Sequence, residues 1–566
     1  MASPQFGERE LVLGLAVFLP LLGLGLGFYR GRKPRPARPR TMSFGSGYMS
    51  IGSWPSDIKM SDPIITAFMF LDGMPKRADL EEACSKMLHY HNFSALPVRR
   101  PWCYSTRFEW RDIEVQPSDV ITWAKAGGSA SVLAEMDRVK DAPLRQETSD
   151  GRVLPMWGLH VVENTGKEEA GFGTVVALRV HHTLGDGMSM VAVSRAVLEA
   201  VGGGQVGMGL GGGGGGGSGS GKSPADAVVK PANRGLSNFS ALEILRGVRD
   251  VIVLCVTAGP DTPLPFGHFE APFNGGGAAA AHRPERGLLG MAKRGAFSGR
   301  RRTVMLPDIS LALVKKLKDA SATTVNDVVM TLVAGCVRRY SEAKGTPSDS
   351  IGGPRFQSRA LIPVALPRAS SSSKAALCNK WAFVSMDMSA DEPDPASRLQ
   401  KVKATTIGVK TSPTAGLQYL MQTYVMPHLP LWVCREMVHG ALAGHTVVDP
   451  QRAPCFVPQT VSNVPGPQEP VKFAGVGLRS VHFAFSNIMP QVGAVSLDGK
   501  MAINFVVDPM SVPDSHTLST HFLDELDALA GALGVDISGE MSALRAQADA
   551  LALVMEAALT AAAASS

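Results

Sequence analysis

The sequence predicts an α/β protein of two lobes, with mixed sheets flanked by helices and a membrane helix at the N-terminus. Three observations predict it. Strand-like and helix-like stretches occur in both halves of the chain. A tract from Gly202 to Gly221, almost all glycine and serine, parts the halves with a composition that cannot form a core and behaves as a tether. The length, 566 residues with 45% hydrophobic and 19% charged, is enough for two domains of ordinary size and further segments, while 60 glycines point to low-complexity stretches.

The elements follow in chain order. Leu11 to Phe28, LVLGLAVFLPLLGLGLGF, is uncharged and of about the minimum length for a bilayer-crossing helix. It follows Glu8, Arg9 and Glu10 and ends in bulky and basic residues, unlike a cleaved secretory signal. Arg30, Arg32, Lys33, Arg35, Arg38 and Arg40 come next, interleaved with prolines, so the positive-inside rule puts the body of the protein in the cytosol. Pro20 and the glycines weaken the helix, and a tilted or hairpin-like insertion is the competing reading.

Asp79 to Tyr90 has apolar Leu80, Ala83, Met87 and Leu88 at helical spacing behind an acidic first turn, and reads as an amphipathic helix. Thr174 to His181 is strand-like and rich in β-branched residues, and Met188 to Ala200 is helical in period. After the glycine tract, residues 260–300 are irregular, rich in Pro, Gly and Ala, and regular patterning resumes near Arg302. The second half reads as helix Asn326 to Ala343, strands Arg359 to Leu366, Val481 to Ser486 and Lys500 to Val507, and helix Leu518 to Leu533. In the last of those strands Met501, Ile503, Phe505 and Val507 share a face. The alanine-rich Ser542 to Ala564 predicts an accessory helix with a stripe of Leu544, Leu551, Met555 and Leu559. The expected division is an anchor and basic linker over 1–40, a first lobe over 41–201, a linker and crossover over 202–300, a second lobe over 301–540 and a tail over 541–566.

Several function classes drop out. The net charge of +6 is small and its basic residues cluster at the N-terminus, which is not a nucleic-acid footprint. Seven scattered cysteines without a CxxC pair suggest neither a disulfide framework nor a zinc site, in keeping with a reducing compartment, and no HExxH or other metal spacing occurs. Gly216 to Ser223, GGSGSGKS, has P-loop spacing, but a glycine tract enters it where a strand should, and Pro224 follows it.

RVHHTLGDGMSM, residues 179–190, is where chemistry concentrates. Neighbouring side chains on an extended segment point to opposite faces, so only one of His181 and His182 can line a given cavity. An imidazole there can take a proton from a hydroxyl or amine attacking a carbonyl. Asp186 is placed to pair with a cation and fix the turn, and Gly187 to supply an unusual φ or a close approach. A strand that merely ends in a polar turn would leave the same residues, so the dipeptide alone does not decide.

HHTLGDG fits the HHxxxDG signature of the CoA-dependent acyltransferase superfamily, and the wider sequence resembles the wax ester synthase/diacylglycerol acyltransferase family, plant-type members above all. The resemblance is carried in order by LPMWGLHVVEN (154–164, with Met156 for Leu), TVNDVVMTLVAGCVRRY (324–340), RALIPVALPR with CNKWAF (378–383, with Cys378 for Gly), VSNVPGP (461–467) and INFVVDPMSVPD (503–514). It covers roughly residues 55 to 535 and leaves the glycine tract and the tail unexplained.

The resemblance implies two chloramphenicol-acetyltransferase-like lobes with an active-site channel between them. It implies transfer of a fatty acyl group from acyl-CoA, the co-substrate, to a long-chain alcohol, to diacylglycerol or to both, without a cofactor or a covalent acyl-enzyme. His182 would be the general base, with His181, Asp186 and Gly187 organising its turn, and Trp157, Asn326, Asp327, Asn379 and Asn463 binding substrate or shaping the site. Plainer readings stand beside these: Trp157 as a core aromatic, Asn326 as a helix N-cap with Asp327 in the first turn, and 463–467 as a turn. His89, His91 and His160 read as ordinary surface or core residues. A lipid acceptor suits an enzyme held at a membrane, the endoplasmic reticulum with its body facing the cytosol, or a lipid droplet. The alternatives are the same fold acting on a non-lipid alcohol or amine, and a catalytically silent lipid-binding protein.

Overall fold

The computed structural model describes residues 42–50, 62–99, 108–166, 173–202, 206, 239–256, 301–344, 359–366, 377–429, 460–485, 490–507, 509 and 512–564. The apolar run 11–28 with its basic flank, the P-loop-like stretch 216–223 and the irregular stretch 260–300 lie outside the described residues. Among the described residues no single helix is long and apolar enough to cross a membrane.

In the first half of the chain the elements are α1 (Phe44–Met49), β1 (Ile64–Leu71), α2 (Arg77–Leu88), β2 (Ala95–Arg99), β3 (Phe108–Asp112), β4 (Ile121–Ala126), α3 (Ser129–Asp141), β5 (Trp157–Asn164), β6 (Thr174–His181), α4 (Gly187–Val197), β7 (Leu198–Ala200) and α5 (Ala241–Val256). The second half continues with β8 (Arg302–Met305), β9 (Ile309–Ser310), α6 (Leu311–Ala320), α7 (Val325–Ala343), β10 (Arg359–Ala365), β11 (Trp381–Asp387), α8 (Pro395–Thr411) and α9 (Thr414–Leu420). It closes with β12 (Thr460–Pro465), β13 (Val471–Phe473), β14 (Val476–Phe485), β15 (Gln491–Leu497), β16 (Lys500–Val507), α10 (Leu518–Ala532) and α11 (Ser538–Ala564).

Two large mixed sheets result, the α/β class that the alternation predicts. The first runs β4-β5-β6-β1-β14-β13-β7 and the second β11-β10-β12-β15-β16-β8, with β9 pairing β16. Sheet membership does not follow the halves of the chain: β13 and β14 join the first sheet, where β14 pairs β1 antiparallel from Ile65–Phe485 to Leu71–Leu478. One apolar core then spans both sheets, with Phe68, Val162 and Val175 from the first and Val492, Ile503 and Phe505 from the second. A second cluster, with Leu71, Leu80, Phe93, Trp157 and Val180, lies on the other face of the first sheet.

Local sequence explains most boundaries. α7 starts at a capping box in which Thr324 accepts from the Asp327 N–H and the Asp327 carboxylate accepts from the Thr324 N–H, two orphan donors satisfied at once. The N-cap is therefore Thr324, not Asn326. α7 reaches α10 closely because position 335 is glycine: a Cβ there would stand 2.0 Å from Glu525 Cδ. Glu525 is buried between Arg398 and Arg339, an arrangement that ties α7, α8 and α10 together.

Two other expectations change. Asn463 sits in strand β12, parallel to β15 with Asn463 beside Ala494, and not in a turn; the β-branched Thr460, Val461 and Val464 suit a ladder flanked on both sides. Within the stretch read as linker, α5 forms a helix of 16 residues whose Gly247 and Val248 are buried, Gly247 lying against Leu417 and Pro413 of the α9 region. The C-terminal helix is present as expected and packs on α3 and α10 through Met541, Leu544, Ala548 and Met555.

Candidate active site

The turn after β6 is tied by hydrogen bonds to several separate segments of the chain. β6 ends at His181, whose N–H donates to the Met156 carbonyl at 2.9 Å, and the His182 N–H donates to the Pro63 carbonyl at 2.8 Å. A single 3-10 turn, His182 to Leu184, follows. Asp186 then caps α4: its Oδ1 accepts from the Ser189 N–H at 3.0 Å and the Ser189 hydroxyl at 3.2 Å. Its Oδ2 accepts from the Lys380 N–H at 2.8 Å, so one buried carboxylate joins the turn to the start of β11. The turn-fixing role expected of Asp186 is met by these neutral donors.

Gly187 is not the glycine of close approach. It opens α4 at an ordinary φ, and a Cβ there would meet nothing within 4 Å. Gly185 holds that place, since a Cβ on it would stand 2.5 Å from Ser189 Cβ.

The two histidines have opposite surroundings. His181 is 1% exposed, and its Nδ1 accepts from the Thr183 N–H at 3.2 Å, which puts the proton of the neutral ring on Nε2. Burial, with the neighbouring His182 adding to it, pushes its pKa down to about 3, so it stays neutral. His182 is half-buried, and its Nδ1 is sealed in the protein without a hydrogen-bond partner. Burial lowers its pKa below the usual histidine range, against opposition from its own carbonyl, the Asp186 charge and the Asn379 side chain. The ring is therefore neutral at neutral pH.

Aromatic rings stand beside it. Trp381 of β11 meets the imidazole edge-on at 6.1 Å between centroids, and Phe485 at the end of β14 lies at 5.9 Å. Asn379 Nδ2 donates to the His182 carbonyl at 2.6 Å, and Trp381 Nε1 donates to Asn379 Oδ1 at 3.2 Å. Asn379, 5% exposed, thus holds the backbone of His182 from within the protein. Trp381 and Phe485 were not singled out in the sequence; Trp381 stands two places from Asn379 within CNKWAF, whereas nothing local marks Phe485.

The other predicted residues fall elsewhere. Trp157 is the core aromatic of the plainer reading, with Nε1 donating to the Phe93 carbonyl at 2.8 Å and its ring 5.2 Å from that of Phe93. Asn463 Nδ2 donates to Asn326 Oδ1 at 2.6 Å, so these two meet at the start of α7, and the Asp327 carboxylate is used in the capping box. His91 pairs with Asp112 and His160 with Glu135, as ordinary surface and half-buried histidines do.

Residues 377–530 match the family model described as the WS/DGAT C-terminal domain, a span that includes Asn379, Trp381, Asn463 and Phe485. The chain is 24% identical over 410 residues to wax ester synthase/diacylglycerol acyltransferase 5 of Arabidopsis thaliana, covering 66% of this chain and 71% of that protein. It is 26% identical over 388 residues to a putative diacylglycerol O-acyltransferase of Mycobacterium bovis, covering 68% and 75%. The solved wax ester synthase/diacylglycerol acyltransferase of Marinobacter aquaeolei VT8 superposes with a TM-score of 0.45 at 14% identity over 84% of this chain and 96% of that one. The family match and the two relatives bear out the resemblance that the motifs carry.

Proposed function

The chain is related to the wax ester synthase/diacylglycerol acyltransferases, and from that premise we propose that it transfers a fatty acyl group from acyl-CoA to the hydroxyl of a long-chain alcohol or diacylglycerol. His182 is the general base. The observation that carries this role is a neutral, half-buried imidazole with Nδ1 sealed inside and its backbone carbonyl clamped by Asn379.

The acceptor hydroxyl gives its proton to His182 Nε2 as its oxygen attacks the thioester carbonyl. The tetrahedral oxyanion collapses, the C–S bond breaks, and the CoA thiolate takes the proton back from the imidazolium. No residue is acylated. Trp381 and Phe485 keep water from the base, which favours the lipid hydroxyl over hydrolysis. His181 and Asp186 hold the turn, and the Asn326–Asn463 pair shapes the second sheet.

Acyl-CoA and acceptor enter a channel between two chloramphenicol-acetyltransferase-like lobes, the arrangement that the family resemblance implies. The N-terminal apolar run with its basic flank holds the enzyme on the cytosolic face of the endoplasmic reticulum or on a lipid droplet, where the acceptors partition.

The test is a competition assay on the full chain in membranes, offering labelled palmitoyl-CoA with hexadecanol and diacylglycerol together. Labelled wax ester, triacylglycerol or both should form. Free CoA release without either ester, or labelled product only as the ester of an added small polar alcohol or the amide of an added amine, contradicts the proposal.

A further inference from the structure

The segment 42–50 reads from sequence only as the start of the first lobe, yet it makes direct contact with Asn379, which holds the His182 carbonyl, and with Thr183 of the turn. α1 is capped at its start by Ser43, whose hydroxyl accepts from the Ser46 N–H at 3.2 Å and donates to Ser46 Oγ at 3.0 Å. Ser46 Oγ accepts from Asn379 Nδ2 at 3.1 Å. The Ser46 carbonyl accepts from the Thr183 hydroxyl at 2.7 Å and the Ser50 hydroxyl at 3.1 Å, and the Ser50 and Thr183 hydroxyls are themselves 2.5 Å apart. Gly45 permits the approach, since a Cβ there would stand 2.6 Å from the Asn379 carbonyl oxygen. Ser46, Ser50 and Thr183 are each at most 1% exposed, so these bonds work without competition from water.

The chemistry of Asn379 gives this contact a catalytic consequence. An amide side chain has one accepting and one donating end, and only the donating end can hold the His182 carbonyl. The Trp381 indole, which can only donate, faces Oδ1 and selects that orientation. Ser46 Oγ accepts at the other end and keeps Nδ2 in place.

Resting on the proposed role of His182, we infer that α1 is part of the catalytic centre and that Ser46 is a positioning residue, holding Asn379 so that Asn379 holds the His182 carbonyl. Transfer then depends on a serine far from the HHxxxDG motif, in a segment that starts just past the basic cluster.

The test uses Ser46→Ala and Ser46→Cys in the full-length enzyme, with Asn379→Ala, the Ser46→Ala/Asn379→Ala double variant and His182→Ala beside them. Ser46→Ala should lower kcat between about 10- and 100-fold, since small misplacements of a catalytic group have effects of that size. KM for acyl-CoA should stay near the parent value, and the melting temperature should fall by no more than a few degrees, as expected for an unpaired buried donor. Ser46→Cys, a poorer acceptor of similar size, should fall between. The double variant should be no slower than the slower single variant, because both act through one carbonyl. Unchanged kcat in Ser46→Ala alongside an inactive His182→Ala overturns this inference and leaves the function standing. Full activity in His182→Ala sinks the reading on which both rest. A loss in Ser46→Ala that tracks a lowered melting temperature and vanishes on cooling, or effects that multiply in the double variant, reduces Ser46 to packing and overturns the inference.

Discussion

At the turn after β6 separate segments of the chain converge on His182, whereas at the start of α7 one amide bonds another. His182 is clamped through its carbonyl by Asn379 and faced by the rings of Trp381 and Phe485. Asn326 and Asn463 bond to one another, and Asp327 is engaged by its own N-cap. Both places carry short polar motifs of the family resemblance. What separates them is which atoms are engaged: Asn326 Oδ1 and Asp327 Oδ2 are taken up by protein donors, whereas the hydrogen bonds at His182 hold its backbone N–H and carbonyl.

The contrast can be broken in order of effect. His182→Ala should lower kcat by about 10²- to 10⁴-fold, the usual worth of a general base, with the fold intact by circular dichroism. Asp186→Ala should follow. It removes the cap of α4 and leaves the Lys380 N–H without its acceptor, together a loss of about 1–3 kcal/mol in thermal or denaturant unfolding. Its activity should drop as well, since the start of β11 carries Trp381.

His181→Ala should act on stability more than on turnover. It leaves the Thr183 N–H unpaired in the interior, at about 1–3 kcal/mol, while kcat per folded molecule stays well above that of His182→Ala. The smallest effect belongs to Asn463→Ala, with about 1 kcal/mol from the lost amide bond and kcat within a few-fold of the parent. A collapse of kcat in Asn463→Ala would erase the distinction between the two places.

Acid stability gives a further handle. His181 and His482 have pKa values pushed down by burial to about 3 and about 4, whereas in the unfolded chain a histidine titrates near ~6.5. Between those values the unfolded chain binds protons that the fold refuses. Their contribution is therefore fully present above about 6.5 and is lost as pH falls toward 4 and then 3. Melting temperature should drop between pH 7 and pH 5, and less so in a variant lacking His482.

Sequence legibility followed locality. The strand Thr174–His181 and the strand Lys500–Val507 have the predicted ends because β-branched and alternating apolar residues are local signals. The helix 518–532 was legible for the same reason. Within the motif, strand geometry limited the base to one histidine, and burial now separates His181 from His182.

What stayed hidden depends on partners distant in the chain. Nothing near Val476–Phe485 says that this strand crosses to pair with β1, nor does anything near Ser46 announce Asn379, 333 residues away. Gly187 drew attention in place of Gly185 because the close approach comes from Ser189 folding back on the turn. Asn326 reads as a candidate cap because asparagine often caps, but Thr324 and Asp327 form the reciprocal pair.

The most direct test of His182 as the base is the pH dependence of kcat/KM for acyl transfer, measured in the parent enzyme and in the residual activity of His182→Ala. Burial lowers the His182 pKa, so the parent should lose activity on the acid side with an inflection below ~6.5, and His182→Ala should show a slow rate without it. The same inflection in both proteins, or parental rates in the variant, would contradict the account.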